Sequence, residues 1–198
     1  MIGVIGPLVQ GKRELRGSVR SVTVFALGAL AGAATTGALI GLLGAFVGGR
    51  VPTIAVGAAG CLLLLVDLGI LGLRTPTLRR QTCSTWYRER GARSVWALWG
   101  FDLGLGFSTI RLSCLYWLML LFVAAFVSPV LAPLVLASYG LGLGVAFAAA
   151  VIAQAWSAPS ATASPGLGLL HAAGRVRLAS VVFLGTVSIV LVAWGAAG

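Results

Sequence analysis

Residues 21–49, SVTVFALGALAGAATTGALIGLLGAFVGG, contain neither a charged side chain nor a proline. A helix rises about 1.5 Å per residue and the hydrocarbon core of a bilayer is about 30 Å thick, so this stretch is long enough to cross it. A helix that is apolar on every side belongs in a large protein core or in lipid. Further apolar stretches follow at 53–73, 95–127, 130–154 and 176–195. Composition favours lipid: 59% of the 198 residues are hydrophobic and only 9% are charged, too few to cover a water-soluble surface. The expected fold is an all-α, polytopic transmembrane helical bundle with about five spanning helices, forming a single integral membrane domain over 1–198. A short N-terminal apolar segment, MIGVIGPLVQ, precedes it, too short to span and wrongly flanked for a signal peptide.

The net charge of +10 does not point to nucleic acid. The basic residues stand in connectors between apolar spans, without the interleaved aromatic platform of a single-strand binder. They orient the chain instead. Lys12, Arg13, Arg16, Arg20, the six arginines of connector 74–94, Arg175 and Arg177 fall on one side, and Arg50 alone on the other. Twelve against one places the N-terminus in the cytoplasm and the C-terminus outside a plasma membrane.

Finer features follow from glycine and proline. Gly28 and Gly32, Gly37 and Gly41, and Gly44 and Gly48 are spaced four apart, so small residues share helix faces suited to close packing. Gly28, Gly32, Gly37 and Gly41 are therefore the expected surface for a homo- or hetero-oligomer, with the lipid bilayer as the other partner. Trp96 and Trp99 are expected at headgroup level, and Pro133 with the GLGLG run 140–144 suggests a kink or an unwound turn. The Ser-, Ala-, Pro- and Gly-rich run 157–175 reads as a flexible linker holding a solvated His171. A long span, a proline-marked return at Pro52 or Pro129 and a second span recur at an offset of 77 residues, the pattern of an inverted repeat.

Chemistry in the apolar segments is sparse. Asp67 sits in the second span and Arg111 in the third, close enough in depth for a pair; ionisable groups there usually face the bundle interior. Ser108, Thr109 and Ser113 lie near Arg111, so Arg111, Asp67, Ser108, Thr109 and Ser113 are the candidate substrate-binding residues. Cys61 and Cys114 fall near the midplane and form the candidate redox pair, while Cys83 is in a connector. With one histidine, no CxxC, no P-loop and no HExxH, no catalytic residue, metal site or cofactor is expected.

The order of the pieces resembles the membrane domain of the cytochrome c biogenesis family of thiol-disulfide conduits, CcdA and the central part of DsbD. VFALGALAGAATTGALIGLLGAFVG resembles that family's second helix, AAGCLLLLVDLGILGL its third, WALWGFDLGLGFS the approach to its fourth and PLVLASYGLGLGVAF its fifth. The resemblance implies the same topology as the charge count. It also implies two electron-carrying cysteines, and neither is present: the first site reads Gly6-Pro7-Leu8 and the second Ser108-Thr109-Ile110. Three readings follow. The first is a permease-like or accessory subunit handling a small anionic or thiol-bearing solute. The others are an electron conduit with a relocated Cys61/Cys114 pair and a non-catalytic partner subunit.

Overall fold

The computed structural model describes residues 15–47, 51–73, 92–106, 114–156 and 165–197. These hold six helices and no strand: α1 Leu15–Val47, α2 Thr53–Asp67, α3 Ala92–Leu105, α4 Leu115–Phe126, α5 Ala132–Trp156 and α6 Pro165–Ala197. Among the described residues, three stretches are long and apolar enough to cross a membrane: Val19–Phe46 in α1, Ala132–Ala149 in α5 and Arg177–Ala197 in α6. α2 and α4 are apolar but, at about 22 and 18 Å, shorter than the bilayer core. The chain divides into two compact units, one of residues 1–37, 80–109 and 133–162, the other of 38–79, 110–132 and 163–198.

In the first unit, α1, α3 and α5 meet on small residues. Phe25, Ala29, Ala33 and Thr36 form the buried stripe of α1, while Leu27 and Leu30 face outward. The sorting is by size rather than polarity, as suits a helix whose outer solvent is lipid. A Cβ on Gly28 or Gly32 would run into the main chain of Ala97, Phe101 or Leu105, and one on Gly100 or Gly104 into that of Phe25 or Ala29. Paired numbers rise together, so α1 and α3 are parallel and carry matched glycine pairs. Gly140 and Gly144 of α5 bring a third pair against Ala29 and Ala26. Phe25 stacks on Phe147 at 4.3 Å, and Trp96 meets Trp99 edge-on at 5.2 Å.

In the second unit, α6 runs antiparallel along α2. Gly57 abuts Val192, Gly60 abuts Ser188 and Gly195 abuts Ile54. Val56, Cys114, Leu118, Leu184 and Leu191 make its core.

Several sequence expectations change. The third stretch, 95–127, is two helices, α3 and α4, in different units. α3 ends at Leu105, and the next residue, Gly106, takes a φ of +77° that is open to glycine at little cost. The second stretch stops being helical at Asp67 instead of continuing to residue 73. Pro133 breaks nothing, because it is the second residue of α5, where a proline lacks no intrahelical bond. The 140–144 run is helical throughout, and a Cβ on Gly140 or Gly144 would press on α1. Part of the expected linker, from Pro165, is the beginning of α6, so His171 is in a helix. There too proline opens the helix, and the Leu and Ala that follow continue it. Trp96 and Trp99 are core residues, 5% and 8% exposed, and pack edge-on against each other. The N-terminal segment 1–10 and most of connector 74–94 lie outside the described residues.

Candidate functional site

Asp67 is the last residue of α2, and the chain beyond it turns at once. Leu68 is the C-cap, Gly69 takes φ +76°, its N–H donates to the Val66 carbonyl, and that of Ile70 to Leu65. This is a Schellman closure, which satisfies carbonyls that a helix end otherwise leaves open. The Asp67 carbonyl is satisfied from another helix: the guanidinium of Arg177 on α6 donates to it at 2.9 Å. A cation at a helix C-terminus is also favoured by the helix dipole.

The Asp67 side chain serves a third helix. It is 3% exposed, and its two oxygens accept the N–H of Cys114 at 2.9 and 2.7 Å. Cys114 is the N-cap residue of α4 and makes no cap bond of its own. The carboxylate accepts the N–H of the N-cap residue, so it supplies from α2 what a Glu or Gln at the third helical position supplies locally in a capping box. Its negative charge suits the positive end of α4. One residue thus joins the end of α2 to the start of α4 and, through its carbonyl, to α6.

Of the residues singled out from sequence, Asp67 and Cys114 meet at this junction. Arg111, Ser108, Thr109 and Ser113 lie outside the described residues, and so does any pairing of Arg111 with Asp67. Neither Cys61 nor Cys114 is in a disulfide; the first is half-buried and the second fully buried. Cys61 lies six residues, about 9 Å, before Asp67 on α2, and its neighbour Gly60 faces Leu118, a turn into α4.

Sequence reasoning missed Arg177, which it treated only as a connector charge, because the position of its guanidinium depends on the register of α6 against α2. Asp102 and Trp99 are buried on α3, and the Trp99 indole N–H has no hydrogen-bond partner among the described residues. Gly28, Gly32 and Gly41 face other segments of the same chain, so they are spent on internal packing. No set of three or more metal-ligating side chains is gathered among the described residues. The chain matches no family model, no curated protein and no solved structure.

Proposed function

We propose that the chain is a five-span membrane protein of the permease-like or accessory kind, with its N-terminus cytoplasmic, handling a small anionic or thiol-bearing solute. α1, α2, α5 and α6 would each supply a span, and α3 with α4 the fifth. The apolar turn 68–73 would extend the reach of α2, which is short as a helix.

The observation that carries the reading is Asp67. An ionisable group in the membrane interior costs at least about 2.5 kcal/mol on insertion scales, and such groups commonly mark solute and proton paths. Capping α4 would be served by a neutral Asn. The charge is therefore more than the cap requires. Ser113 immediately precedes Cys114, the bonding partner of Asp67, so the segment carrying Ser108, Thr109, Arg111 and Ser113 leads directly into the junction. The likeness to thiol-disulfide conduits belongs to the same proposal, as a scaffold without the chemistry, and the Cys61/Cys114 conduit is the second reading.

The test is flux into proteoliposomes holding the full chain, with labelled sulfate and L-cysteine as probes. Arg111→Ala and Asp67→Asn should abolish uptake of whichever probe the native chain carries. A folded protein in which both variants transport normally would remove the solute-handling reading.

A further inference from the structure

We infer that the first unit binds one water molecule between the Trp99 indole and the Asp102 carboxylate, a site separate from the Asp67 junction and independent of the solute it is proposed to serve. Trp99 is 8% exposed and Asp102 9%, and both are on α3. Residues three apart on a helix share a face, with Cβ atoms about 5–6 Å apart. Helical side chains lean toward the N-terminus, which tilts the Asp102 carboxylate back over the turn that carries Trp99. A donor and an acceptor are therefore neighbours inside the packing.

They do not bond each other directly. The Trp99 indole nitrogen is buried and has no hydrogen-bond partner among the described residues, and an indole N–H can only donate. Every other member of its buried cluster is aliphatic or aromatic, so no side chain there offers an oxygen. A buried donor in that position is costly, and proteins relieve such groups with a buried water that finds two or more polar partners. Here the water accepts from the Trp99 N–H and donates to Asp102, whose carboxylate has about four acceptor positions. Two hydrogen bonds of about 2.9 Å meeting at one oxygen span a separation that a single bond does not close. The ligand that fits is a small neutral group able to accept one hydrogen bond and donate another, and water does this in the least volume.

Proton NMR of the full chain in bicelles, labelled at the tryptophan indole nitrogens, tests the inference. There are six tryptophans, and the Trp99 resonance is identified by its loss in Trp99→Phe or by its contact with the Trp96 ring. Its N–H should show a rotating-frame Overhauser cross-peak to water and the downfield shift of a hydrogen-bonded proton. Asp102→Leu should abolish the cross-peak. Asp102→Asn keeps an oxygen acceptor without the charge, so it should keep the cross-peak and move the resonance upfield, because bonds within a charged network are the stronger ones. No water cross-peak in the native chain overturns the inference: a downfield N–H would then have a protein partner, and an upfield one would lie over the Trp96 ring, which Trp99 meets edge-on at 5.2 Å. A cross-peak unchanged in folded Asp102→Leu overturns it as well. If Asp102→Leu does not fold, a resonance unmoved in Asp102→Asn does so.

Discussion

Each unit has a short helix lying along a long one, α3 on α1 and α2 on α6. Both short helices are followed by a positive-φ glycine, Gly106 and Gly69, and in both a side chain of the long helix bonds the last carbonyl. In the first unit that side chain is the Thr36 hydroxyl, 2.9 Å from the Leu105 carbonyl; in the second it is the Arg177 guanidinium. The seams differ more. α1 and α3 touch main chain to main chain, with no side chain able to yield, whereas α2 and α6 touch partly through side chains such as Leu64, Val192 and Ser188. Main-chain fit dominates the α1–α3 seam, and a charged junction is added to the α2–α6 seam.

The comparison is most easily broken at Gly100. Its Cβ would enter the Phe25 carbonyl, so Gly100→Ala forces two backbones apart and should cost about 3 kcal/mol, the upper end of overpacking. The matching change in the second unit is Gly185→Ala, whose Cβ meets the flexible tip of Leu64 at 3.3 Å. Its cost should lie within about 0.5 kcal/mol of zero, because the helix-propensity gain offsets a small adjustment. Unfolding of the full chain in mixed micelles by added dodecyl sulfate measures both. Equal losses would show the seams to be alike.

Next in size is Asp67→Ala. It leaves the Cys114 N–H buried without its carboxylate and should cost about 2 to 3 kcal/mol in the same assay. Asp67→Asn keeps an acceptor and should cost about half as much. An Asp67→Ala protein as stable as the native one would mean that the junction does not hold the second unit. Arg177→Met should cost less still, about 1 kcal/mol, because its bond to the Asp67 carbonyl is only partly buried and water can replace it.

How much of this the sequence carried depended on range. Apolar runs between basic connectors were enough for an all-helical membrane protein, since that inference needs only length and composition. The packing glycines were visible as pairs four apart, but not their partners: Gly28 and Gly32 look the same whether they face a second copy or Ala97 and Phe101 of the same chain. Asp67 stood out as a charge in an apolar run. That it caps α4 was not legible, because the cap position is a cysteine 47 residues away with no capping side chain of its own. The break between α3 and α4 was hidden for the opposite reason. Hydropathy stays high through 103–121, and only the backbone angle at Gly106 shows where the first helix stops.

The smallest expected effect tests the glycine argument most cleanly, within a single helix. Gly140, Gly142 and Gly144 alternate along α5; a Cβ on the first or last would press on α1, but nothing lies within 4 Å of one on Gly142. Gly142→Ala should therefore stabilise the protein by about 0.5 kcal/mol through helix propensity alone, whereas Gly140→Ala, three atoms deep in the backbone of Ala29 and Leu30, should destabilise it. Opposite signs two residues apart cannot come from composition, hydropathy or overall helicity, which the two variants share. If both stabilise, the α1–α5 contact gives way more readily than main-chain packing allows, and the steric account of the first unit fails with it.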